Sequence, residues 1–208
     1  MTIATIDTVR PKLVRGRGGG GPASTRTVVA YGFWIFLLSD FILFAGLFAA
    51  YAVLSGNTAG GPTGAELFNL RSVFIETMCL LFSSYACGLG ALSAERRQRE
   101  RYLVFAVLTF IFGAVFLFIE ISEFAGMISR GAGPSRSAFL SAFFTLVGTH
   151  GAHVTLGLIW FIYMVAQVAL KGLRPHVLRR LLCFSLFWHA LDIVWVGVFT
   201  LVYLMGAR

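Results

Sequence analysis

Five long runs of apolar residues divide the chain, at about 28–54, 70–93, 102–125, 138–170 and 178–204. Each is close to or above the roughly 20 residues a helix needs to cross the hydrocarbon core of a bilayer. The pattern predicts an all-α integral membrane bundle of five transmembrane helices. The fourth run is longer than a bilayer requires and must tilt or project beyond it. Between the runs, "SGNTAGGPTGAE" and "GAGPSRS" are rich in helix breakers, "ERRQRERY" is a short charged hairpin loop, and "KGLRPHVLRR" combines basic residues with a proline. No internal repeat accompanies the five runs, which argues against a transporter built from inverted repeats.

Composition agrees with this division. Hydrophobic residues make up 58% of the chain and charged residues only 12%, against about 25% charged in a soluble domain. The formal charge of +8 does not signal a nucleic-acid partner, because the basic residues gather at the ends of apolar runs. Cys79, Cys87 and Cys183 all lie inside those runs, where cysteine behaves as a small hydrophobe. Residues 1–27 lack the apolar core of a cleavable signal peptide. With "RGRGGGGPASTR" they are expected to form a flexible basic tail, leaving 28–208 as the membrane domain.

Charge also predicts orientation. Arg10, Lys12, Arg15, Arg17 and Arg26 precede the first run, Arg96, Arg97, Arg99 and Arg101 lie in the second connection, and Lys171, Arg174, Arg179 and Arg180 in the fourth. These are 13 of the 17 Lys and Arg residues. The positive-inside rule then predicts a cytoplasmic N-terminus and a periplasmic C-terminus.

Eight ionisable residues interrupt the runs: Asp40, Glu76, Glu120, Glu123, His150, His153, His189 and Asp192. A carboxylate at the bilayer centre costs about 2.5–3.5 kcal/mol on insertion scales. The eleven Leu, Ile and Phe residues between positions 33 and 48 return about 0.3–0.6 kcal/mol each. That run tolerates one aspartate with little to spare. Asp40 has only apolar neighbours at helical spacing on its own run, so it is expected to face the bundle and meet His150, His153 or His189. Ser185, His189 and Asp192 share one helical stripe, His150 and His153 another, and Glu120 and Glu123 a third. In the second run, Ser72, Glu76, Cys79 and Ser83 make a small, mildly polar face suited to close helix contact. Asp40, both histidines of the fourth run, His189 and Asp192 are expected near mid-membrane. A buried Asp–His network that holds helices in register is favoured over proton exchange, and both over a metal site. The di-iron pattern needs Glu-x-x-His twice, whereas here one helix carries Glu-x-x-Glu and another His-x-x-His. Haem is disfavoured because His150 and His153 point to one side of their helix, although His189 could supply a second ligand. An independent proton or ion carrier and a haem-binding cytochrome stay open as alternatives. No nucleophile triad, phosphate loop or flavin fingerprint occurs.

"YGFWIFLLSDFILFAGLFAAYAVL", "FIETMCLLFSSYACG", "FLSAFFTLVGTHGAHVTLGLIW" and "LFWHALDIVWVGVFTLVYLMG" closely resemble subunit III of the haem-copper oxidases. With its five helices and "NTAGGPTG" and "GAGPSRS" loops, the chain looks like the quinol-oxidase branch of that family over about residues 28–206. The resemblance implies an accessory subunit of a proton-pumping ubiquinol oxidase in the bacterial inner membrane, with no redox centre or cofactor of its own. It implies haems and copper in a partner subunit I, further contacts with subunits II and IV, and bound phospholipid. Arg26, Arg96 and Arg97 are the candidates for holding lipid headgroups. Asp40 occupies the position where cytochrome c oxidases usually carry a glutamate, His150 and His153 match the His-Gly-x-His pattern, and Trp188, His189 and Asp192 match Trp-His-x-x-Asp.

Overall fold

Ser24 starts the first helix, its Oγ accepting a hydrogen bond from the Thr27 amide at 3.2 Å. In the computed structural model, which describes residues 24–206, α1 spans Thr25–Leu54, α2 Gly64–Leu67, α3 Leu70–Glu95, α4 Arg99–Ser129, α5 Ala138–Lys171 and α6 Pro175–Val198. A π-helical segment, Phe199–Leu204, continues α6. Five of these are long and apolar enough to cross a membrane, the last counted as Pro175–Leu204. The five expected spans are all present, with extended ends. α1 takes in residues 25–27 of the expected tail, and the rest of that tail up to residue 23 lies outside the described residues. α4 begins at Arg99 and ends at Ser129, so much of the charged "ERRQRERY" stretch is helix and the turn is reduced to Arg96–Gln98. Arg97 takes a left-handed conformation there, with φ 59°.

The capping residues explain where the other helices begin. Asn69 Oδ1 accepts from the Arg71 amide at the start of α3, and Ser137 Oγ from the Leu140 amide at the start of α5. Pro175 occupies the first turn of α6, where its missing N–H has no intrahelical partner to lose. Gly172, with φ +69°, ends α5.

α6 is the hub of the bundle. It packs against α5, α3 and α1, while α3 and α4 form an antiparallel hairpin and α4 also touches α5. α1 leans on α5 and α6 through a seam of period seven, Leu37, Phe44 and Tyr51, which are its buried residues. Its outer face, including Ile42 and Val53, is exposed and apolar, as is that of α4 at Phe118 and Ile121. Such surfaces suit acyl chains or the helices of neighbouring proteins. Three basic connections meet at one end of the bundle. Arg26 pairs with Glu95, Arg97 donates to the Leu173 carbonyl, and Arg99 donates to the Ala169 carbonyl at 2.8 Å.

Candidate functional site

The interior of the bundle is organised around two tryptophans of α6. The Trp188 indole lies between two helices that each carry a glycine at the contact. A Cβ at Gly113 of α4 would sit 3.0 Å from Trp188 Cζ2, and one at Gly157 of α5 would sit 3.0 Å from Cζ3. Trp188 Nε1 donates to Ser83 Oγ at 3.2 Å, and Ser83 Oγ donates to the Thr109 carbonyl at 2.8 Å. One relay thus joins α6, α3 and α4. Trp195 Nε1 donates to Thr77 Oγ1 at 3.1 Å, and Thr77 donates to the Val73 carbonyl at 2.8 Å. All four side chains are buried, and each indole N–H is satisfied, as burial in a dry interior demands.

The eight ionisable residues expected in the interior, five of them in one Asp–His network, are distributed over four places. No hydrogen bond or ion pair among the described residues joins any two of them. His150 is fully buried, with its ring 5.2 Å from that of Trp195, 5.8 Å from Phe116 and 6.3 Å from Phe44. Neither of its nitrogens has a protein partner. His153, half-buried, bonds through Nδ1 to its own helix at the Thr149 carbonyl, 2.8 Å away. The α1 side chain beside both histidines is Phe44, whose ring is 5.3 Å from His153. Asp40 lies one turn before Phe44, is half-buried, and makes no hydrogen bond or ion pair with a histidine.

Glu76, Glu120 and Glu123 form the third group, within electrostatic range of one another, after the two histidines of α5 and the separate Asp40. Glu76 and Glu120 are buried, and none of their four carboxyl oxygens has a protein partner. Glu120 fits because α5 has a glycine opposite it: a Cβ at Gly151 would lie 2.7 Å from Glu120 Oε1. Glu123 shares a crevice with Ser72 and Arg130 at the end of the bundle away from the basic turns. His189 and Asp192 occupy the fourth place. Contrary to their expected interior position, His189 is exposed and Asp192 half-buried, on a face that α3 and α6 turn outward. The chain folds its tryptophans rather than this histidine into the centre, because Trp188 is one residue away on the helix and the two cannot point the same way.

At the basic end a cavity of about 500 Å³ is lined by Arg26, Glu95, Arg97, Arg179 and apolar residues of α3 and α6. Of the predicted headgroup candidates, Arg26 and Arg97 line it, and Arg96 does not. Arg179, counted in the sequence only as a basic loop residue, replaces it.

Residues 17–207 match the family described as cytochrome c oxidase subunit III. The chain is 52% identical over 177 residues, 85% of each chain, to the cytochrome bo(3) ubiquinol oxidase subunit 3 of Pseudomonas aeruginosa. It is 44% identical over 183 residues to the protein of the same name from Buchnera aphidicola, covering 88% of this chain and 89% of that one. It is also 43% identical over 175 residues to the quinol oxidase subunit 3 of Bacillus subtilis, covering 84% and 86%. The chain belongs to the subunit III family. Within this subunit III chain, no group of three or more His, Cys, Asp or Glu side chains among the described residues is arranged to hold a metal ion. Sequence reasoning identified Ser83 as lining a face suited to close helix contact but did not find its bond to Trp188. The available signal was the run of small and hydroxyl residues, Thr77, Ser83 and Ser84, on a helix long enough to span the membrane.

Proposed function

We propose that this chain is the accessory, non-redox subunit III of a terminal ubiquinol oxidase in the inner membrane of a bacterium. The observation that carries the reading is 52% identity, over 85% of both chains, to a protein named as that subunit. Haems and copper belong to a partner subunit I, with subunits II and IV completing the complex. The absence of a haem in this chain is supported by packing. Phe116 and Trp195 crowd the His150 ring, and the outward His189 does not converge with it. The satisfied Trp–Ser and Trp–Thr bonds fit a scaffold, since they tie three helices together.

The cavity beside Arg26, Arg97 and Arg179 is the proposed seat of a phospholipid headgroup. Clustered guanidinium groups at a helix-bundle rim attract anionic phosphate, and the apolar residues of α3 and α6 continue from it toward the hydrocarbon. The clustering of basic turns at that end supports a cytoplasmic placement, with the N-terminus inside and the C-terminus outside. The subunit sustains proton pumping by holding the assembly and its lipid together.

Purification through a tag on this chain, in mild detergent, tests the reading. The expected result is co-purification of haem, copper and further membrane polypeptides, while the chain expressed alone shows no Soret band. Recovery of the chain without oxidase subunits, or a Soret band from the chain alone, overturns it.

A further inference from the structure

The outward faces of α3 and α6 are not uniformly apolar. Ser84, Gly88, His189 and Asp192 line a shallow groove on that surface, flanked by Leu81 and Tyr85. Ser84 Oγ lies 3.4 Å from His189 Nδ1. Asp192 Oδ1 is shielded from solvent yet has no hydrogen-bond partner. The ion pair among the described residues is Arg26 with Glu95, so no cation among the described residues pairs with the Asp192 carboxyl.

The groove sits at the middle of the spans. His189 is fourteen residues after Pro175 and fifteen before Leu204, about 21 and 22 Å along the axis at about 1.5 Å per residue. A lipid headgroup would have to reach about 15 Å into a core about 30 Å thick to touch it, and acyl chains offer no hydrogen bonds. A carboxylate left there against lipid costs about 2.5–3.5 kcal/mol. The outward face of α4 at this depth, with Ile111 and Val115 exposed on either side of Gly113, carries no such group and suits lipid. Gly88 adds a second feature. A Cβ built on it would meet only His189 Nε2, at 3.8 Å, so another backbone can approach closely. A small residue beside polar side chains is the usual composition of a transmembrane helix–helix contact.

We propose that this groove seats a transmembrane helix from another subunit of the oxidase, and that this helix presents a hydrogen-bond donor, hydroxyl, amide or basic, to Asp192 and His189. The inference rests on the accessory-subunit reading and adds to it the face by which the subunit is held. The accessible oxygen of the Asp192 carboxyl, the one not shielded as Oδ1 is, accepts from the incoming donor, His189 Nε2 provides the second contact, and Ser84 holds the imidazole through Nδ1.

The test uses the whole complex in native membranes. A photoreactive benzophenone side chain in place of Ile193, which is exposed beside Asp192, is compared with one in place of Phe118. Ile193 is expected to cross-link to another oxidase polypeptide and Phe118 to lipid. In parallel, the pair His189→Leu and Asp192→Leu is expected to lower the haem recovered with the tagged chain at least three-fold. If the groove faced lipid, the same leucines would improve insertion and leave recovery unchanged. Unchanged recovery, or Ile193 adducts only with lipid or only with a second copy of this chain, overturns the proposal. If the unsubstituted chain brings down no oxidase subunit, the accessory-subunit reading itself fails, which is a separate and distinguishable result.

Discussion

Gly157→Ala is the most direct test of how the bundle is held. The added methyl would lie 3.0 Å from both Phe187 Cε1 and Trp188 Cζ3. The indole cannot retreat, because Gly113 brings α4 against its other edge, where even a methyl would be 3.0 Å away. Nor can it rotate freely, because Nε1 is tied to Ser83 at 3.2 Å. Either α5 moves away from α6 or Trp188 leaves its position. Overpacking of this kind costs about 1–3 kcal/mol. Loss of the indole bond would add about 0.6 kcal/mol, the average measured for hydrogen bonds between membrane helices. Against this, alanine favours a helix over glycine by about 0.8–1.0 kcal/mol. The expected net loss is therefore about 0.6–2.8 kcal/mol, roughly 3- to 100-fold in the folded-to-unfolded ratio. Gly126→Ala is the control, since nothing lies within 4 Å of the methyl it would add. It is expected to be neutral or stabilising. Reversible unfolding of the detergent-solubilised chain by a denaturing detergent, followed by circular dichroism, reads both. Combining Gly157→Ala with Trp188→Phe separates a clash from a helix effect. The smaller ring relieves the contact, so the two substitutions should be non-additive by at least 0.5 kcal/mol. A Gly157→Ala variant as stable as the Gly126→Ala control, or strict additivity with Trp188→Phe, refutes the clamp.

Other expectations follow from the same contacts. Ser83→Ala removes the acceptor of Trp188 and a donor to the Thr109 carbonyl, and should cost about 1–2 kcal/mol in the same unfolding assay. Gly151→Ala would place a methyl 2.7 Å from a Glu120 oxygen. It should destabilise the chain more than Gly126→Ala does, and Glu120→Ala in the same chain should relieve most of the loss. Arg26→Ala breaks an ion pair whose side chains are 58% and 51% exposed. Its effect on unfolding should stay below about 1 kcal/mol, while the phospholipid retained by the purified complex, measured as phosphorus per haem, should fall.

The five spans were legible because hydrocarbon imposes a single demand, an apolar run of sufficient length, and the residues state it directly. The ends were less so. Thr25 and Thr27 are too polar to extend an apolar run, yet Ser24 caps the helix ahead of them. Charges at Arg99 to Arg101 read as loop although they form the first turn of α4. The π-helical turns at Phe199–Leu204 depend on backbone pairing that no residue type announces. Periodicity assigned Ser83 and Glu76 correctly to one buried face of α3. It could not assign their partners, because a helical wheel names a face and not the neighbour across from it. Hence Asp40 was expected beside a histidine, where the structure puts Phe44.

His189 and Asp192 show a different limit. Lipid penalises charge, and from this they were expected to turn inward. The premise is sound, but it assumes that the outside of one chain is the outside of the molecule. α6 carries Trp188 and His189 on successive residues, and the centre of the bundle already holds the indole between Gly113 and Gly157. The imidazole must then lie elsewhere on the helix, next to Ser84 of α3. A single membrane chain with such a face would be poorly soluble in its own bilayer. A subunit is not, if another helix covers it. The position that disagrees with the one-chain expectation is thus the position where a second chain belongs.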